Sequence, residues 1–216
     1  MTRPVIAVID YGIGNLRSAE KALQRGGADA RLTSDPTFVL SADGVVLPGV
    51  GAFGACMNAL RREGLDRVVH RAVEAGRPFL GICVGMQMLF GASEEDSHVT
   101  GLGIIEGTVR RIPDGVKRPQ MQWNTLDVVR PSDPAFIGPK FATSPWVYFV
   151  HSYHGVPVDE TAVAATCEYG GTLNAAFRRG NVFATQFHPE KSGVTGLALL
   201  ANFVSCVDRG GSAWAV

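Results

Sequence analysis

The stretch Pro78-Phe79-Leu80-Gly81-Ile82-Cys83-Val84-Gly85-Met86-Gln87-Met88-Leu89-Phe90 decides the fold. Its first half is a short apolar run of the kind that forms a strand covered on both faces, as in a parallel sheet. Its second half predicts a helix over 84–90 that starts with no loop in between. A buried strand passing directly into a helix is the repeating joint of α/β architecture.

The same alternation extends toward the N-terminus. Val5-Ile6-Ala7-Val8-Ile9 reads as a buried strand closed by Asp10. Leu16, Ala19, Ala22 and Leu23 then recur at helical spacing after Asn15, a good cap, and Gly26-Gly27 stops them. Residues 28–32 alternate as a second strand, and Val45-Val46-Leu47 form a third that ends at Pro48-Gly49. Leu65, Val68, Val69, Ala72 and Val73 make one helical face ending at Gly76. From Gly101 the texture turns β-rich, with strands expected over 104–112, 121–129, 146–150, 162–169, 173–177 and 182–187. A closing helix presents Leu197, Leu200, Ala201 and Val204 to the core, and the proline-rich residues 131–145 read as a surface loop. The expected fold is α/β: a mostly parallel central sheet with flanking helices and an antiparallel extension, in a single domain over residues 1–216.

Composition narrows the function. Lys plus Arg (20) balances Asp plus Glu (20), which argues against a nucleic-acid partner. The cysteines, Cys56, Cys83, Cys167 and Cys206, lie far apart with no C-x-x-C pair, so neither a disulfide framework nor a zinc site is expected, and a reducing cytoplasm fits. The first apolar run is too short for a signal peptide, and the uncharged residues 44–60 are broken by Pro48 and several glycines, so no membrane partner is expected. Gly12-Ile13-Gly14 lacks the third glycine of a dinucleotide fingerprint. His151 and His154, three apart on a strand, point to opposite faces, and no cofactor or metal is expected. Arg110-Arg111 and Arg178-Arg179 read as solvated faces.

Chemistry concentrates at Gly81-Ile82-Cys83-Val84-Gly85, a G-x-C-x-G sequence. It is the cysteine form of the nucleophile elbow, a strained strand-to-helix turn that exposes the nucleophile between small residues. A helix start offers unpaired N–H groups and partial positive charge to a thiolate, and the N–H of Val84 to an oxyanion. A free thiol of pKa about 8.5 is only a few per cent ionised at neutral pH, so a base is needed. Gln186-Phe187-His188-Pro189-Glu190 supplies His188, with Glu190 to orient the imidazole, giving the order Cys, His, Glu. Pro48-Gly49-Val50-Gly51 ends the third strand with peptides around Val50 and Gly51 that rotate at little steric cost, as a second oxyanion donor requires. Cys56, Cys167 and Cys206 read as buried structural thiols.

Taken together, G-I-C-V-G-M-Q, P-G-V-G and Q-F-H-P-E resemble the triad-type, class I glutamine amidotransferases. D-Y-G-I-G-N-L at 10–16, M-Q-W-N at 121–124, Y-F-V-H-S-Y at 148–153 and H-P-E-K-S-G at 188–193 narrow the resemblance, over nearly the whole chain, to the glutaminase subunits of imidazole glycerol phosphate synthase from histidine biosynthesis. Gln122, where that family usually has glycine, and His154, where a tyrosine is common, depart from its pattern.

The resemblance implies that Cys83 attacks the side-chain amide of glutamine and that His188 moves the proton. It places Gln87 and Glu95 on polar groups of the substrate, with Gly51, Ser152 and Tyr153 close by. It also implies a (β/α)₈ barrel cyclase partner that receives ammonia through an internal channel, with Trp123, Asn124, Tyr148 and Lys191 turned toward it. A different synthase partner, a cysteine peptidase or redox domain on a similar elbow, and a non-catalytic subunit are the alternatives. The intact Cys, His and Glu weigh against the last.

Overall fold

A computed structural model describes residues 3–14, 16–211 and 214. Its first half alternates β1 (Val5–Ile9), α1 (Leu16–Arg25), β2 (Asp29–Thr33), α2 (Pro36–Ser41), β3 (Gly44–Gly49), α3 (Phe53–Arg62), α4 (Leu65–Glu74), β4 (Phe79–Cys83) and α5 (Val84–Gln87). Its second half is mostly strands: β5 (Phe90–Ser93), β6 (Ile105–Arg111), β7 (Gln120–Thr125), β8 (Asp127–Val128), β9 (Trp146–His151), β10 (Tyr153–Pro157), β11 (Val163–Glu168), β12 (Thr172–Arg179) and β13 (Val182–Thr185), closed by α6 (Gly193–Asp208).

The fold is of the expected class. An eight-stranded sheet runs β2-β1-β3-β4-β13-β12-β11-β8. Its strands from β2 to β13 are parallel, and β12, β11 and β8 pair antiparallel. Strands β10, β6 and β5 form a small sheet, and β7 and β9 a two-stranded ribbon. Because β3, β4 and β13 are adjacent and parallel, their C-terminal ends reach the same edge, where α/β sheets hold their ligands. Strands β3, β4 and β13, fully buried, and β1, buried except at Val5, account for the apolar runs. Among the described residues, no helix is long and apolar enough to cross a membrane.

Several elements differ from the sequence reading, each for a physical reason. Strand β3 continues through Pro48 and Gly49, because pairing with β1 ends at Val46 and the missing proline N–H costs that ladder nothing. Helix α5 stops at Gln87 instead of residue 90, since the Met88 and Leu89 carbonyls accept from Leu102 and Ile105 and draw the chain into β5. The expected strand over 121–129 divides at buried Leu126 into β7 and β8, which belong to different sheets. Helix α6 turns Leu199, Leu200, Phe203 and Val207 inward, while Leu197 is half-buried and Ala201 exposed; a helix apolar on every side leaves its orientation to packing. Helix α2 had a readable start, Asp35 capping the Thr37 N–H ahead of Pro36. Asn15, read as the cap of α1, lies outside the described residues.

The loop over 131–145 and Arg178 also depart from expectation. Ala135, Phe136 and Phe141 are buried, and Asp133 accepts a bidentate pair from Arg178, with its Oδ2 2.8 Å from Nε and its Oδ1 2.6 Å from Nη2. Arg178 is therefore a core residue, stacked on Phe183 and Trp214 and donating to the Trp214 carbonyl. Removing one partner strands a buried charge, so Asp133→Ala is expected to lose about 3–5 kcal/mol in urea unfolding. Adding Arg178→Met should recover most of it; a loss within about 0.5 kcal/mol for the single variant, as at an ordinary surface site, would contradict this reading of the pair.

Candidate active site

The elbow is built by close backbone contact. Cys83 has φ 54 and ψ −115, a left-handed conformation that costs a non-glycine residue about 1–3 kcal/mol and is held by its surroundings. A Cβ on Gly85 would collide with the Leu47 carbonyl, and one on Gly81 would lie 2.9 Å from Leu89 Cδ1. Both glycines of G-x-C-x-G are thus sterically required. With α5 a single turn, the macrodipole is small, and thiolate support falls to individual hydrogen-bond donors.

His188 follows β13, and its Nδ1 lies 2.8 Å from Glu190 Oε1. Its backbone is tied to β9: the His188 N–H donates to the Tyr148 carbonyl, Ser192 Oγ donates to the His188 carbonyl at 2.6 Å, and the Tyr148 N–H donates to Ser192 Oγ. His188 Nε2 is buried without a hydrogen bond of ordinary distance and angle, yet the Cys83 sulfur is near enough to act on it. Burial draws the imidazole pKa down, but Cys83 and Glu190 outweigh it and hold it at about 9.

A cavity of about 400 Å³ opens over Cys83 and gathers Val50, Gly51, Val84, Gln87, Glu95, Ser152, Tyr153, His188 and Lys191. Glu95 Oε2 is fixed by the Phe53 N–H at the start of α3, which leaves its other oxygen for a ligand. Both bonds of Gln87 Nε2 stay within the protein, to the Tyr153 carbonyl at 3.0 Å and Gln186 Oε1 at 3.1 Å, so neither amide hydrogen is left for a ligand. His151 belongs to the wall: its ring nitrogens contact the Tyr153 carbonyl and Gln120, and burial pulls its pKa down to about 4, keeping it neutral. His154 is buried on β10, and no group of three or more His, Cys, Asp or Glu suited to a metal occurs among the described residues.

Two side chains given no role at the site by the sequence pin the Pro48–Gly51 segment. Tyr11 Oη donates to the Pro48 carbonyl at 2.9 Å, and Cys56 Sγ donates to the Val50 carbonyl at 3.4 Å. Burial above all raises the pKa of both groups, so each remains a protonated donor. Between them, the Gly49–Val50 peptide is governed by the β3–β4 ladder. The Val45 N–H donates to the Pro78 carbonyl, which sets the ladder's phase, and pairing continues to Gly49↔Cys83. In that phase the Gly49 carbonyl faces the Val84 N–H.

Of the residues read as facing a partner, Trp123 is 47% exposed and meets Tyr148 edge-on with centroids 6.1 Å apart, and Lys191 is exposed at the cavity rim. Asn124 is half-buried, and its amide donates to the Glu168 carbonyl, tying the ribbon to β11. Exposed Met121 and Trp146 extend the same apolar face. Gln122 is exposed on the opposite face of β7.

A family model described as glutamine amidotransferase class-I matches residues 7–206, so the chain belongs to that class. A solved structure described as a glutamine amidotransferase shares the fold, with a TM-score of 0.73 at 22% identity, covering 94% of this chain and 98% of that one. PurLQS from Thermotoga maritima gives 0.77 at 21% identity, covering 94% and 99%. Sequence likeness is much higher to the imidazole glycerol phosphate synthase subunit HisH of Syntrophotalea carbinolica, 52% identical over 92% of this chain and 98% of the relative. HisH of Geobacter sulfurreducens is 48% identical over 92% and 97%. Within its class the chain is a member of the HisH family, glutaminase subunits of imidazole glycerol phosphate synthase in histidine biosynthesis.

The His188 contacts make a pH prediction. Its folded value of about 9 exceeds the ordinary 6.5, so the pairing contributes stability fully below about pH 6.5 and loses it as pH rises through about 9. Glu190→Gln should bring the imidazole titration down toward 6.5, followed by NMR, and flatten the stability profile in that window. A titration identical to wild type would count against the Glu190 contact.

Proposed function

We propose that this chain, acting as one domain over residues 1–216, hydrolyses glutamine through Cys83, His188 and Glu190 and delivers the ammonia to a (β/α)₈ cyclase subunit. The observation that carries the reading is a strained cysteine elbow opening into the same cavity as a histidine whose far nitrogen is held by a carboxylate at 2.8 Å. The Cys83 thiolate attacks the amide carbon, and the carbonyl π pair moves to oxygen. Collapse of the tetrahedral intermediate breaks the C–N bond as protonated His188 gives its proton to the leaving ammonia. Water, deprotonated by His188, then attacks the glutamyl thioester and breaks its C–S bond, releasing glutamate and restoring the thiolate and protonated His188.

Glutamine would lie with its amino group toward the free oxygen of Glu95 and its polar groups near Gln87 Oε1, Ser152 and Tyr153. The oxyanion would be held by the Val84 N–H and a donor from Val50 or Gly51. With the Gly49 carbonyl facing Val84, that hole is incomplete, and turning the Gly49–Val50 peptide would exchange the carbonyl for the Val50 N–H. This favours a weak glutaminase that a partner activates. The exposed Met121, Trp123, Trp146 and Tyr148 face fits a cyclase surface, with Lys191 at the rim of the cavity. In that assembly the ammonia would pass through a channel to make imidazole glycerol phosphate and aminoimidazole carboxamide ribonucleotide, in the cytoplasm.

Glutamate release, measured with and without the cyclase and its nucleotide, tests both parts. Cys83→Ala should lower the complex's rate by about 10⁴-fold or more while preserving fold and association; normal turnover by that variant would sink the assignment. An isolated chain as fast as the complex would refute activation.

A further inference from the structure

We infer that Gln186 is a hydrogen-bond donor to the nucleophile, holding the Cys83 sulfur as a thiolate, and that Gln87 is the positioning residue that aims it. The inference rests on Cys83 being the nucleophile. Gln186 directly follows β13, is fully buried, and its Nε2 lies 3.8 Å from Cys83 Sγ. Its backbone N–H donates to the Ala175 carbonyl at 2.8 Å, so the residue is fixed before its side chain is considered.

The direction of this contact is set by a backbone group. The Tyr153 carbonyl can only accept, so the side-chain atom of Gln87 facing it is the amide nitrogen. The same nitrogen supplies a hydrogen to Gln186 Oε1 at 3.1 Å. With its oxygen committed, Gln186 turns its own nitrogen toward the sulfur. Flipping the Gln186 amide would set two buried NH₂ groups against each other and leave the Gln87 hydrogen without an acceptor, an unfavourable arrangement whatever the state of the sulfur. The chain from Tyr153 through Gln87 and Gln186 to Cys83 is therefore polarised toward the sulfur. A neutral thiol is a weak acceptor, whereas a thiolate in a low-dielectric pocket uses such a donor fully. Since α5 is a single turn, this donor supplies support that the helix start cannot.

The test is the pH dependence of Cys83 alkylation by iodoacetamide in the full chain, with the modified site read by mass spectrometry and Cys83→Ala as the blank. Gln186→Met keeps the bulk and removes the donor, and should raise the midpoint by about one pH unit, a tenfold loss of thiolate below it. With the cyclase present, kcat should fall and KM for glutamine stay nearly constant. Gln186→Glu should move the midpoint further up, because an anion would then face the thiolate. Gln87→Met should shift it in the same direction by less. A folded Gln186→Met with the wild-type profile overturns the inference. If that variant does not fold, an unshifted profile in both Gln186→Glu and Gln87→Met overturns it instead. Failure of wild-type Cys83 to react would overturn the nucleophile reading itself, so the two failures are distinguishable.

Discussion

The active site depends on how closely the end of β3 approaches the elbow that follows β4. A Cβ on Gly85 would collide with the Leu47 carbonyl, and one on Gly49 would sit 2.7 Å from the Gly85 nitrogen and 2.8 Å from Tyr11 Oη. Two backbones in such contact leave Cys83 only the positive-φ turn that lifts its side chain off the sheet. The strain is local, while the strands that impose it are buried on both faces and paired on both sides, so the sheet outweighs it. Parallel pairing does the rest, bringing the Val50 peptides and His188 to the edge where the sulfur emerges.

Within that edge, rigidity and freedom are divided among neighbouring peptides. Tyr11 secures the Pro48 carbonyl and Cys56 the Val50 carbonyl, both as un-ionised donors. The peptide between them is held by the ladder alone. A rotation there, as proposed for activation, would be confined by the two held ends and would exchange a carbonyl for an N–H at one position. The ribbon bears on the other side of the site, because β9 carries Tyr148 in the exposed aromatic face and also receives the His188 N–H.

Much of this was legible in the sequence where one local pattern carried the information. The strand-elbow-helix run located Cys83, H-P-E located its partner pair, and β-branched runs located the parallel strands. What was not legible depended on contacts distant in sequence. Nothing near Arg178 announces Asp133, so a core ion pair read as a solvated arginine pair. The length of α5 was set by Leu102 and Ile105, and the inward face of α6 by packing around an apolar helix. Cys56 read as structural because its role lies in one hydrogen bond to the Val50 carbonyl. Gln186 had a signal, a polar residue closing an apolar strand, but its direction of donation appears only with Gln87 and Tyr153 in place.

The polar groups around the sulfur also differ in how fully they are satisfied, and the difference follows their chemical work. The Gln87–Gln186 chain is bonded at each link from a backbone carbonyl to the sulfur, so it holds one direction and one charge preference. His188 is bonded at Nδ1 and at its backbone, while Nε2 is buried with no comparable partner. Leaving a buried polar atom unmatched costs about 1–3 kcal/mol, and a fold tolerates it where the atom has another use. A nitrogen that must take a proton from one atom and give it to another cannot be committed to a permanent partner. On the proposed mechanism the imidazole is thus fixed by everything except the atom that would react, and the thiolate would be held by a donor that never has to let go.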